Sequence, residues 1–120
     1  VSMRKMKILI VDDEHDILEI LAEEFKFYGH EIEMAVSGNE AIEKLKLSQF
    51  DVIISDYRMP NGNGMTLLSF VNSLVVKPIF FFMTAQADAS ENDCLDHGAT
   101  SFFRKPFEMD ALIKKIHELK

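Results

Sequence analysis

Residues Ile8–Asp16 read ILIVDDEHD. Four branched apolar residues run straight into two adjacent carboxylates, Asp12 and Asp13. With Lys7 in front, Lys7–Val11 reads as a strand, and a strand that is apolar on both faces belongs in the middle of a parallel sheet covered by helices. Paired negative charge at the end of such a strand is unusual, because neighbouring carboxylates repel. The pair therefore asks for something that holds it together.

Outward from this stretch the chain alternates between two periodicities. Glu14–Tyr28 reads as a helix with Ile17, Leu18, Leu21 and Phe25 on one face, closed by Gly29. Ile32, Met34 and Val36 then alternate with Glu31, Glu33 and Ala35 in the two-residue period of a strand. Ser37 to Glu40 has the spacing of a capping box, and Ala41, Ile42 and Leu45 follow on one helical face. Val52–Ser55 reads as a strand, MPNGNG (59–64) as a turn-rich loop, and Met65–Leu74 as a helix. Ile79–Met83 is a wholly apolar strand, Asp88–His97 a helix closed by Gly98, and Ser101–Arg104 a short strand. Phe107–Leu119 is a last helix that buries Leu112, Ile113 and Ile116. Five strand–helix units with short connections predict an α/β fold with one parallel five-stranded sheet between two helical layers. The first, third and fourth strands are uniformly apolar and belong inside; the second alternates and the fifth is short, so both belong at the edges. Strand order 2-1-3-4-5 satisfies this, a flavodoxin-like (βα)5 three-layer sandwich.

Bulk properties bound the rest. The 120 residues suit a single domain over 1–120, with Val1 and Ser2 expected to be a cloning remnant before Met3. Hydrophobic residues make up 48% and charged residues 28%, a globular balance. No apolar run approaches the ~20 residues of a membrane span, and the run after the basic VSMRKMK is too short for a secretion signal. Cys94 is the single cysteine, which excludes a disulfide framework and points to the cytoplasm. A net charge of −7 without a basic cluster argues against direct nucleic-acid binding by this domain.

The strands of a parallel sheet share one C-terminal rim, where ligands bind in such folds. The first strand ends there in Asp12 and Asp13, the third in Asp56, the fourth in Thr84, and the fifth runs into Lys105; the second ends in Ser37, part of a helix cap. Taken singly, each has an ordinary explanation: Asp13 as a helix cap, Asp12 as a solvated charge, Asp56 as a turn residue before Pro60, Thr84 as a cap, Lys105 as a solvated lysine. Taken together they are harder to dismiss, since three carboxylates at one rim repel unless a cation sits among them. Asp oxygens are hard ligands that suit Mg2+ with several retained waters. No Cys or His lies with them, and His15, His30, His97 and His117 are expected at the surface. A cation and a hydroxyl opposite a metal-bound carboxylate suit a phosphoryl group, and a carboxylate oxygen can attack phosphorus to give an aspartyl-phosphate.

The pieces ILIVDDE, DVIISDYRMPNGNG, FFFMTA, GATSFFRKPF and the closing helix together resemble the receiver domain of two-component response regulators over essentially the whole chain. The resemblance implies that Asp56 is the phosphoacceptor and that Asp12 and Asp13 form the acidic pocket for Mg2+. Asp13, Asp56 and the backbone carbonyl of Arg58 would bind the metal directly, and Asp12 more through water. Thr84 would be the switch hydroxyl, Phe102 the switch aromatic, Lys105 the cation that contacts the phosphoryl group, and Lys105–Pro106 a cis peptide that aims it. The implied donor is a sensor histidine kinase or a histidine phosphotransfer protein. The implied exit for the signal is the face made by the fourth helix, the fifth strand and the fifth helix, toward an output domain or a homodimer partner. Asn63 stands where the family often has Asp, and Phe102 where Tyr is also common. The fourth helix offers mainly Ala89, Cys94 and Leu95 to a core, a thin apolar stripe consistent with weak anchoring.

Two other readings share these residues. A Mg2+-dependent phosphatase with Asp56 as nucleophile would need a substrate pocket and a general acid, for which the tight connections leave little material. A flavin-mononucleotide binder on the same fold would need hydroxyls and amides after the first strand, where DDEHD would repel phosphate. Whether the chain stands alone or was excised from a longer one is left open by the sequence.

Overall fold

The computed structural model of the chain describes residues 5–84, 91–104 and 109–119. Within them the elements run β1 (Lys7–Val11), α1 (His15–Phe27), β2 (Glu31–Ala35), α2 (Gly38–Leu47), β3 (Val52–Asp56), α3 (Gly64–Asn72), β4 (Ile79–Thr84), α4 (Glu91–Asp96), β5 (Ser101–Arg104) and α5 (Met109–Leu119). The strands pair in parallel in the order β2-β1-β3-β4-β5. This is the order that hydropathy demands: β1, β3 and β4 carry the apolar runs, and each has a strand on both sides.

The pleat sends alternate side chains to opposite layers. Leu9, Val11, Ile53, Phe80 and Phe82 meet Ala41 and Leu45 of α2, Leu67, Leu68 and Val71 of α3, and Cys94 of α4. Ile8, Ile10, Val52, Ile54, Phe81 and Met83 meet Leu18, Leu21, Ala22 and Phe25 of α1 and Leu112, Ile113 and Ile116 of α5. Apart from α4, each helix thus buries the face its periodicity marks. At the edge, Glu33 of β2 is held by Lys7 (3.4 Å) and Lys44 (3.5 Å), charges that discourage further strand pairing.

Caps fix the helix starts nearest the rim. Ser37 Oγ accepts the Glu40 amide at 3.1 Å, and Glu40 Oε1 reaches back to the Val36 amide at 3.2 Å, one residue earlier than an ideal capping box. Asn63 caps α3 through the Thr66 amide (2.9 Å) and hydroxyl (3.2 Å). Two expectations need correction. Leu95 does not join the core beneath α4 but is exposed, leaving Cys94 as that helix's buried apolar residue among the described ones; Ala89 lies outside them. His30 is not a surface residue: it is 5% exposed, beneath the last turn of α5.

Candidate functional site

Sheet register brings the acidic residues together. In the β1–β3 ladder Val11 stands beside Ser55, so the next residues on each strand, Asp12 and Asp56, are level at the rim. Asp12, Asp13 and Asp56 each place a carboxylate oxygen within 4.8 Å of the others. Asp12 and Asp56 are 0% and 7% exposed, and Asp13 faces solvent. Two buried carboxylates and one exposed carboxylate at this spacing are an all-oxygen donor set with one open side. That chemistry suits a hard divalent cation.

Each acid is aimed by its own turn. Asp12 Oδ1 accepts the Glu14 amide at 2.9 Å and so turns the chain into α1. The N-cap of α1 is Glu14, not Asp13, and the Glu14 side chain makes no capping bond, which leaves the Asp13 carboxylate directed at its two neighbours. Asp56 is the last residue of β3, and its Oδ1 accepts the following amide, that of Tyr57, at 2.8 Å.

The loop after β3 is held from two sides. The amides of Gly38 and Asn39, at the start of α2, donate to the carbonyls of Gly62 (2.8 Å) and Asn61 (3.1 Å). Both loop residues have positive φ, 61° at Asn61 and 100° at Gly62, which Asn and Gly tolerate best. Gly64 donates to the Tyr57 carbonyl at 2.8 Å. A Cβ on Gly64 would run into the Asp56 carbonyl oxygen and meet Phe82 Cε1 at 2.5 Å. The glycine therefore lets α3 start directly against the phosphoacceptor candidate.

Thr84 closes β4 one residue past the Asp56–Met83 pair and is 0% exposed, so its hydroxyl belongs to the rim. Phe102 lies in β5 opposite Phe82, is 8% exposed, and its ring centroid is 6.4 Å from that of Phe82. Phe82 in turn lies 5.6 Å from Tyr57, so a row of aromatic rings leads from the residue after Asp56 to β5. Arg104 sits 5.0 Å over the Phe102 ring. Sequence reasoning missed Phe82 as the link; the signal was its parity with Phe102 across adjacent strands. Lys105 and Pro106 lie outside the described residues, and Arg58 is described and exposed. No helix among the described residues is long and apolar enough to cross a membrane.

Comparison with known proteins gives the family and the fold. The profile of the response regulator receiver domain family matches residues 8–117. The transcriptional regulatory protein CrdR of Helicobacter pylori is 28% identical over 112 residues, 92% of this chain and 53% of its own length. The chain spans about half the length of the curated relatives it matches. A CheY-like response regulator receiver domain protein from Methanospirillum hungatei superposes with a TM-score of 0.89 at 30% identity, covering 97% of this chain and 94% of that one. CheY of Borrelia burgdorferi, solved in a complex with CheX, BeF3 and Mg2+, superposes with a TM-score of 0.85 at 27% identity, covering 94% and 87%.

Proposed function

Because the chain belongs to the response regulator receiver domain family, we propose that residues 1–120 form a single receiver domain in which Asp56 accepts a phosphoryl group from a phosphohistidine. The donor is a sensor histidine kinase or a histidine phosphotransfer protein. The observation that carries the assignment is the convergence of Asp12, Asp13 and Asp56 at the rim that parallel strands share.

Asp13, Asp56 and the Arg58 carbonyl would hold Mg2+ directly, with Asp12 acting through water, and the ion would supply charge neutralisation for the phosphoryl oxygens. The presence of Mg2+ in the Borrelia complex supports Mg2+ as the ion. A carboxylate oxygen of Asp56 forms the new bond to phosphorus as the bond from the donor imidazole nitrogen breaks, and the electron pair leaves with the imidazole. The Tyr57 amide already holds Asp56 Oδ1, so the carboxylate meets the donor in one fixed orientation. The Thr84 hydroxyl donates to a phosphoryl oxygen, and Lys105 contributes its ammonium.

The phosphoryl group adds about −1.5 to −2 charge. Movement of the Thr84 hydroxyl toward it alters the end of β4 beside Phe82 and Phe102. A shift in that aromatic row reaches α4, β5 and α5, the face assigned to an output domain or to a second copy of the chain. Phosphorylation biases an equilibrium already present there. Incubation with acetyl phosphate and Mg2+ followed by intact-mass measurement tests the assignment: one added phosphate is expected, absent from Asp56→Asn and without Mg2+. A label retained by Asp56→Asn removes Asp56 from the role.

A further inference from the structure

Away from the acidic rim, His30 and His117 meet with their Nε2 atoms 2.9 Å apart, joining the start of β2 to the last turn of α5. The Met6 amide donates to His30 Nδ1 at 3.1 Å. A backbone N–H can only donate, so His30 Nδ1 carries no proton and its single proton sits on Nε2. That proton points at His117 Nε2, which must accept it, so the His117 proton sits on Nδ1. Both tautomers follow from one backbone amide, and both rings are neutral. A second proton on His30 would set Nδ1–H against the Met6 N–H; one on His117 would set two N–H groups face to face. With Nε2 of His30 protonated, the pair is also not a metal chelate.

We propose that His30 and His117 form a proton-sensitive clasp that seats the end of α5 when both rings are neutral and releases it on acidification. The rings are packed on three sides, by Phe25 (6.2 Å from His30), by Tyr28 (5.3 Å from His117) and by each other (5.2 Å). The charged groups nearby do not reverse this. From α5, Lys114, Glu118 and Asp110 line the open groove that His117 shares with Tyr28, the C-cap of α1. From the sheet, Lys7 is taken by Glu31 (3.7 Å) and Glu33, and Lys5 is exposed. Burial lowers both imidazoles from their ordinary 6.5, and the proximity of His117 lowers His30 further. A base held neutral in the fold costs nothing above 6.5, its unfolded value, and destabilises progressively as pH falls below 6.5 toward the lowered midpoint. The clasp does not depend on phosphorylation of Asp56.

Imidazole nitrogen shifts in 15N-labelled protein, with backbone hydrogen exchange from pH 7.5 to about 5, test it. His30 is expected as the Nε2–H tautomer and His117 as the Nδ1–H tautomer, both titrating below 6.5. After correction for intrinsic exchange, the Ile116 and His117 amides should open faster as pH falls, about tenfold per unit of lowered midpoint. His117→Gln keeps an acceptor near the Nε2 position and removes one of the two titrations, so α5 should stay protected at neutral pH and respond less to acid, with the His30 proton accounting for what remains. His117→Leu, which strands the His30 proton, should exchange fast at every pH. A proton on His30 Nδ1 at neutral pH, or an unchanged acid response in His117→Gln, overturns the proposal.

Discussion

Asp13→Asn should make the metal-free protein more stable while removing most of its response to Mg2+. The carboxylate oxygens of Asp12, Asp13 and Asp56 lie within 4.8 Å of one another. At that separation two unit charges repel by about 1 kcal/mol in water and by about 3–4 kcal/mol at an effective dielectric of 20. Asp13 is exposed, so the lower figure applies to each of its two pairs, and the distance is short enough that physiological salt screens them only in part. Neutralising Asp13 should therefore relieve about 1–2 kcal/mol, which raises Tm by about 4–8 °C for a chain of this size. Mg2+ acts in the opposite sense. At a concentration one hundred times its Kd, a ligand specific for the folded state stabilises by about 2.7 kcal/mol, and a variant lacking one of the direct ligands loses most of that. The two stability orders should thus cross: Asp13→Asn above the natural chain in EDTA, and below it in saturating Mg2+. Thermal or urea unfolding of both proteins under both conditions measures all four values. A variant less stable than the natural chain in EDTA would show that the three carboxylates are not in conflict. An undiminished Mg2+ response would show that Asp13 is not a ligand. Either result refutes the electrostatic account of the site.

Other substitutions test the supports of the site and its output. Gly64→Ala places a methyl group against Phe82 and the Asp56 carbonyl; it should cost about 1–3 kcal/mol in urea unfolding and slow phosphorylation of Asp56 by acetyl phosphate, measured by mass. Ser37→Ala removes the cap on α2 and should cost about 1 kcal/mol, read from the urea midpoint, with phosphorylation retained. Lys105→Ala should still accept phosphate on Asp56 but fail to pass the change on; amide chemical shifts along β5 and α5 should move far less on phosphorylation than in the natural chain. Phe82→Leu should leave phosphorylation intact and weaken the same shifts at Phe102, because it shortens the aromatic row between Tyr57 and β5.

What the sequence made legible was whatever follows from a local period or from the end of an element. The uniform apolar runs of β1, β3 and β4 against the alternating β2 and short β5 were enough to order the sheet, because burial on two faces and burial on one leave different patterns. Once strands are parallel, the residue after each run is at the rim without further information, so Asp12, Asp56 and Thr84 could be placed together although they are far apart in the chain. Contacts that join residues by neither rule stayed hidden. His30 gives no sign of burial in a polar turn, and nothing in its neighbourhood names His117, which is 87 positions away. Their meeting depends on how α5 lies across α1, a matter of three-dimensional packing. Leu95 erred for a related reason: a periodic apolar position is buried only if something lies opposite it, and α4 turns Cys94 alone among its described residues into the core. Asn63 shows the limit from the other side. Its side chain caps α3 through Thr66, and α3 begins at the glycine that touches Asp56, a role that its place in the sequence does not reveal. The residues that carry the proposed chemistry are thus fixed by sheet topology, which a sequence states openly. The residues that hold them at working distance are fixed by caps and close approaches, whose partners appear only once the chain is folded.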